Sequence, residues 1–336
     1  MSELTRGAEA PRDEAADGVT QPPHRRFWRC GVAASGAWLA VALVSQSWPD
    51  QGEVGSTGLL ATALAAFGIA LLGATVASVC IDLPRLHRAG PWLIALPLLL
   101  GAWELASAKL NLLPRPFFAA PQSLLEVYAD DWARLAESTL HSVMLLASGY
   151  AVGATLGFAT GLAIGWSRAI GYWVHPVLRF VGPLPATAWL PLAFFALPSS
   201  WTAGVFLIAL ATGFPVTVLT WSGVASVNAA YYDVARTLGA SQRFLILRVA
   251  IPAAMPSVFV GLFMGLGGSF AVLVVAEMMG VKAGLGWYLS WAQGWAAYSN
   301  MYAALIVMAL MCSGVIWVLF RLRDRLLTWQ RGLLRW

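Results

Sequence analysis

Few side chains in this sequence are of a type that does chemistry, and they are densest over residues 233–252, DVARTLGASQRFLILRVAIP. The stretch holds one acid, Asp233, the arginines Arg236, Arg243 and Arg248, a central Gly239 and a closing Pro252. No histidine, cysteine or second carboxylate accompanies Asp233, so neither general acid/base nor nucleophilic catalysis is set up there. Elsewhere His141 and His175 lie near the ends of apolar runs without a partner at metal-ligand spacing, and the sequence has no HExxH. Cys30, Cys80 and Cys312 are odd in number and unpaired in spacing, which predicts small buried residues and no metal centre. The glycine-rich GLFMGLGGSF at 261–270 lacks the lysine of a phosphate-binding loop. Its glycines predict close helix packing instead. No catalytic, cofactor-binding or metal site is expected in this chain.

The elements that carry these residues are apolar. With 59% hydrophobic and 11% charged residues and a mean hydropathy of +0.70, the chain has too little polar surface to coat a soluble globule. It belongs in a bilayer. A formal charge of +5 raises nucleic acid as a partner, but no basic stripe alternates with aromatics; the arginines collect at the ends of apolar runs, which excludes that reading. Residues 1–27 lack apolar periodicity and a signal-peptide core, and are expected to be a disordered cytoplasmic tail. Eight helical spans are expected, near 30–48, 57–81, 91–110, 138–166, 174–197, 201–222, 254–280 and 301–320, each close to the ~20 residues that cross hydrocarbon. No alternating strands appear that could close a barrel. With the amino terminus inside, fifteen Lys and Arg fall in inner loops, Arg168 and Arg179 among them, against four outside, Lys109, Arg115, Arg134 and Lys282. Both termini and the polar stretch then face the cytoplasm.

That stretch reads as two short helices. Tyr231, Val234 and Leu238 share one face, Gly239 suits a left-handed helix end, Ser241 suits the cap of a second helix, and Pro252 is expected to end it. An apolar helix face outside the membrane needs something to cover it.

The spacing Asp233-Val234-Ala235, three residues, Gly239, nine residues, Val249-Ala250-Ile251-Pro252 resembles the cytoplasmic EAA loop of ABC importer permeases, Glu-Ala-Ala, three residues, Gly, nine residues, Ile-x-Leu-Pro. Asp stands for Glu, and three further changes are conservative. The segments LLLGAWELASAKLNLLPRPFFAAPQSLLE, RFVGPLPATAWLPLAFF and VVAEMMGVKAGLGWYL resemble the nitrate, sulfonate and taurine type of permease, so the likeness spans about 91–332. The chain departs at ALPSSWTAG and in having two spans before residue 84.

The resemblance implies an all-α polytopic membrane protein: a six-helix type I permease core over 84–336, with an accessory two-helix hairpin over 28–83. A coupling loop over 229–252, with Asp233, Val234, Ala235, Arg236, Gly239, Ala240, Ile251 and Pro252, would dock a cytoplasmic ABC ATPase, which would bind ATP and Mg in place of this chain. A periplasmic or lipid-anchored binding protein would deliver the solute, a small anion or organic solute such as nitrate, sulfonate, taurine or bicarbonate. A second copy would complete the pathway as a homodimer in the bacterial inner membrane. Glu104 and Glu277, costly in lipid, lie in family-like segments and are expected to pair structurally, because a carboxylate would repel an anion. Trp287, Trp291 and Trp295 recur at helical spacing and suit an interfacial aromatic belt. The alternative class, an ion-coupled secondary transporter, requires mid-membrane coupling carboxylates and interrupted helices in two matching halves.

Overall fold

The computed structural model describes residues 28–52, 54–78 and 84–328, the side chains of 84 and 85 excepted. The expected amino-terminal tail, Cys80, Arg331 and Arg335 lie outside the described residues. Among these residues all regular structure is helical: α1 (Arg29–Ser47), α2 (Thr57–Ala77), α3 (Pro84–Glu104, extended by a π turn, Leu105–Lys109), α4 (Pro121–Asp130), α5 (Trp132–Trp166), α6 (Arg168–Val181), a 3-10 turn (Ala186–Trp189), α7 (Leu190–Ala196), α8 (Ser200–Ala225), α9 (Ala229–Thr237), α10 (Gln242–Phe244), a second π turn (Leu245–Ala250), α11 (Ile251–Met279), α12 (Leu285–Gly294) and α13 (Tyr298–Leu326).

The chain divides into two compact units. The first comprises residues up to Ser47 and Ala61–Gly101, and the second Trp48–Leu60 and Ala102 onward. In the first, Trp38 rests on Phe67 with centroids 4.4 Å apart and donates its indole N–H to the Leu93 carbonyl at 3.0 Å. A β-carbon on Gly101 would fall 3.0 Å from Val41. These contacts draw α3 into packing with α1 and α2, so three helices cluster where the sequence leads to an expectation of two. Cys30 is exposed here and Cys312 half-buried, so neither is the buried residue expected. On a helix that can face lipid, a small apolar thiol needs no protein cover.

In the second unit α5 lies against α8 at backbone distance. β-Carbons added at Gly149, Gly153, Gly157 and Gly161 would fall 2.5–2.6 Å from Ile208, Ala209, Gly213 and Thr217 in turn. The paired numbers rise together, so α5 and α8 run in the same direction. Against α8, α11 runs the opposite way, Gly223 meeting Ala254 and Ser257 while Gly261 meets Val216. Leu145, Leu207, Ile208, Leu273 and Ala276 fill the buried layer between these three helices.

Parallel neighbours in sequence require a return crossing between them. Residues 168–196 supply it, but not as the continuous span expected over 174–197. Helix α6 and the 186–196 helical segment meet at 87°, and among the described residues seven other helices are long and apolar enough to cross a membrane. The break falls at Gly182-Pro183-Leu184-Pro185. Two prolines at alternate positions remove backbone donors and bias the residues before them away from helix. Arg179, expected in a cytoplasmic loop, sits instead on the last turn of α6.

Valine at Gly157 should therefore force α5 and α8 apart at a cost of about 1–3 kcal/mol. Valine at Gly314, where a β-carbon meets nothing within 4 Å, should change stability by less than about 0.5 kcal/mol. Thermal unfolding of both variants in detergent checks the contrast.

Candidate functional site

The polar stretch forms a hairpin at the end of the bundle where α8 stops and α11 starts. Asn228 caps α9, its side chain accepting from the Ala230 N–H at 3.0 Å. At the other end the Ala240 N–H donates to Ala235 O at 3.0 Å and the Gly239 N–H to Arg236 O at 2.9 Å. This is a Schellman closure with Gly239 in the left-handed region at φ +79°. The motif positions Ala235, Gly239 and Ala240 thus have a local reason: the outer pair carries the bond and the glycine carries the angle. Ser241 caps the next helix by accepting from the Phe244 N–H at 3.3 Å.

The second helix does not end at Pro252. It passes through the π turn into α11, and 242–279 forms one continuous span. Pro252 sits in the first turn of α11 with Ile251 before it. The wider π turn accommodates the donor that proline lacks.

Inward, the hairpin is anchored. Tyr232 meets Trp166 edge-on with centroids 5.9 Å apart, and Ala250 packs with Val224 and Ala254. Outward, Tyr231, Val234 and Leu238 are 66%, 61% and 83% exposed. Asp233 and Arg236 flank them, also exposed, with 3.5 Å between Oδ1 and Nη1. The face expected to be apolar is present, and no part of the described chain covers it. Chemically it is an exposed apolar ridge with one acid and one base beside it.

The two acids expected to pair do so inside the chain, at different places. Ser142 donates to Glu277 Oε1 at 2.7 Å, and the Gly286 N–H donates to Oε2 at 2.7 Å. Ser142 accepts in turn from the Leu285 N–H at 2.8 Å. The carboxylate lies at the amino end of α12, where backbone donors and the helix dipole favour negative charge. Gly284, at φ +99°, admits this approach, since a β-carbon there would lie 2.2 Å from Oε1. Glu104 accepts from Gln122 Nε2 at 3.1 Å and stands 3.8 Å from Lys109 Nζ.

Lys109, expected in an outer loop, is fully buried in the π turn after α3. Its ammonium is 2.8 Å from Asp50 Oδ1 and donates to the Trp48 carbonyl. With Gln51 N–H to Ala108 O and Ser123 Oγ to Val54 O, these bonds fasten the Trp48–Leu60 segment to the rest of the second unit. Sequence reading missed Asp50 and Ser142, because a lone polar residue far away in the chain carries no signal of its partner. The cluster Gly284-Leu285-Gly286 after Glu277 was the readable sign, two glycines seven and nine residues beyond a buried acid.

Of the tryptophans at helical spacing, Trp287 and Trp291 pack on the core while Trp295 is 75% exposed, so they do not form one belt. The Arg134 guanidinium lies 5.0 Å from the Trp291 ring. Tyr288 donates to Asp131 Oδ2 at 2.7 Å and accepts from Asn300 Nδ2 at 2.7 Å, and burial pushes its phenol up to about 12. His175 contacts Trp221 edge-on, and among the described residues no group of His, Cys, Asp and Glu could hold a metal ion.

Residues 153–331, which run from mid-α5 through the hairpin and past α13, match the family of binding-protein-dependent transport system inner membrane components. The chain belongs to that family. The bicarbonate transport system permease protein CmpB of Synechococcus elongatus is 30% identical over 199 residues, 59% of this chain and 69% of that protein. The nitrate import permease protein NrtB of the same species is 28% identical over 258 residues, 73% of this chain and 90% of that protein. A probable ABC transporter permease of Brucella abortus is 28% identical and is covered to 98%. This permease is therefore a transport component of the inner membrane, and not an enzyme, with the helical architecture expected of an ABC importer permease.

Three outcomes follow from the buried groups. Glu277→Gln should retain stability, whereas Glu277→Leu should cost about 1–3 kcal/mol by stranding the Ser142 hydroxyl and the Gly286 N–H; equal damage in both by detergent unfolding contradicts this. Asp50→Ala should cost about 1–3 kcal/mol, because the buried Lys109 ammonium loses its nearer acid and keeps Glu104 at 3.8 Å and the Trp48 carbonyl. Tyr288 has its proton affinity raised on folding, so its contribution is full below pH 10 and is lost as pH rises through about 12. Tyr288→Phe should abolish that alkaline loss in a pH series of unfolding temperatures.

Proposed function

We propose that the 229–252 hairpin of this permease docks an ABC ATPase and converts its closure on ATP into alternating access of the membrane pathway. The observation that supports this most is the uncovered ridge of Tyr231, Val234 and Leu238 on a helix closed by Gly239 and anchored by Tyr232 on Trp166. A rigid, bundle-linked helix with an apolar outer face transmits displacement; a free loop does not. Asp233, Val234, Ala235 and Arg236 form its outer surface, Gly239 and Ala240 its stop, and Ile251 and Pro252 its junction to α11. ATP and Mg are bound by the partner, a binding protein delivers the solute at the opposite end, and a second copy of this chain completes the pathway.

The arginines near the hairpin end support placing that end, and both termini, in the cytoplasm. Arg168 and Arg236 lie there with Arg321, Arg323 and Arg325 of the last turns of α13. Because the bent pair returns the chain between parallel α5 and α8, counting it as a crossing keeps the expected eight. The substrate class we favour is a small anion, as the names of the bicarbonate and nitrate relatives suggest. A secondary transporter is disfavoured, since Glu104 and Glu277 are both engaged by neighbours and unavailable as coupling carboxylates.

Gly239→Val places a β-branched residue at φ +79° and should distort the hairpin, at a cost of roughly 1 kcal/mol or more, while the spans still insert. The variant should reach the membrane and lose the ATPase, or hydrolyse ATP uncoupled from uptake. Gly239→Ala should be milder. Co-purification and vesicle transport check this; wild-type binding and uptake by Gly239→Val contradict the coupling role.

A further inference from the structure

The middle level of the second unit is almost free of charge. Helices α5, α8, α11 and α13 carry acidic or basic residues only toward their ends, and Glu104 and Glu277, near the ends of α3 and α11, are taken up by Gln122, Lys109, Ser142 and the first turn of α12. Arg179, its side chain exposed within this chain, stands beside residues further in from a helix end than these. It lies on α6, beside Phe214, Val218 and Trp221 of α8. At about 1.5 Å per residue, Trp221 and Phe214 stand roughly 6 and 17 Å in from the end of α8 at Ala225.

At that level Arg179 lines a cavity of about 530 Å³ together with His175, Leu178, Gly182 and Pro183. No carboxylate among the described residues lies within ion-pair distance of it. A second cavity, of about 310 Å³, adjoins the first through Gly182 and Phe214 and continues past Thr187 to Gly268 and Ala271 of α11. The two follow the break in the bent pair. Pro183 and Pro185 lack N–H groups there, so the chain cannot continue the helix and the groove stays open. Trp221, meeting His175 with centroids 4.4 Å apart, walls the end toward the hairpin.

An exposed guanidinium roughly 6–17 Å in from the end of α8, with no acid beside it, is expensive in hydrocarbon, and such a residue marks a site unless something compensates it. The walls of the groove are apolar apart from Arg179, His175 and Thr187, and no acid lines either cavity. We infer that Arg179 faces the transport pathway and is the contact that admits a small monovalent anion, with His175 and the Thr187 hydroxyl as neutral partners along the broken helix. The inference rests on the importer reading and adds to it a residue and a charge selectivity. A bidentate fork suits the oxygens of a planar oxyanion, and lysine supplies the same charge as a point.

The test uses the permease with its ATPase and binding protein in vesicles, with labelled nitrate, bicarbonate and isethionate as probes, in zwitterionic and in anionic lipid. For the probe that wild type takes up, Arg179→Gln should lower the maximal rate at least tenfold with unchanged KM, because KM is set by the binding protein. Arg179→Lys should keep a third or more of the rate and Arg179→Glu should abolish uptake, in both lipids, with the ATPase co-purifying throughout. Wild-type uptake by Arg179→Gln overturns the proposal. So does a loss seen in one lipid only, which assigns Arg179 to a lipid phosphate. Absence of ATP-dependent uptake in wild type overturns the importer reading itself.

Discussion

The close approach of α5 to α8 is the constraint on which the rest of the second unit depends. Glycines at 149, 153, 157 and 161 bring the two backbones together in a row, and no residue with a β-carbon fits in their places without movement. Because lipid supplies no hydrophobic drive between helices, such van der Waals contact is what holds a membrane bundle together. The contact also fixes direction. Two parallel helices joined by 167–199 oblige the chain to come back through the layer, and it does so as a broken pair whose bend lies beside the middle of α8.

Both ends of the bundle follow from that arrangement. At one end α8 finishes, the hairpin turns at Gly239, and α11 returns antiparallel, so the hairpin sits on two packed helices and moves with them. At the other end Glu277 ties α11 to α5 and to the first turn of α12, and Tyr288 ties α12 to the elbow before α5 and to the start of α13. A displacement applied at the hairpin therefore has a stiff route to the opposite face, which is the physical requirement for coupling.

Much of this was legible in the sequence because it depends on near neighbours. The hairpin helix, its glycine stop and its serine cap lie within a few residues of one another, and the helical class follows from composition and the bilayer's demand for internal hydrogen bonds. The break at 182–185 was written in two prolines, yet the apolar run through it outweighed them in the reading of a single span. Pro252 erred the other way: a proline read as a stop is absorbed by a π turn that no local pattern announces. Lys109 and Arg179 were assigned to loops because charge is usually at an edge. The burial of Lys109 depends on Asp50, and the placing of the exposed Arg179 beside Phe214 and Trp221 depends on the direction of α8, both distant in sequence.

The measurement that bears most directly on the coupling claim is site-specific photocrosslinking from the hairpin in the assembled transporter. A photoreactive phenylalanine analogue at Leu238 should link this chain to the ATPase, with a yield that changes between nucleotide-free and ATP-bound states, while the same probe at buried Leu245 should not. Intact complexes in which probes at Tyr231, Val234 and Leu238 all fail to reach the ATPase would contradict it.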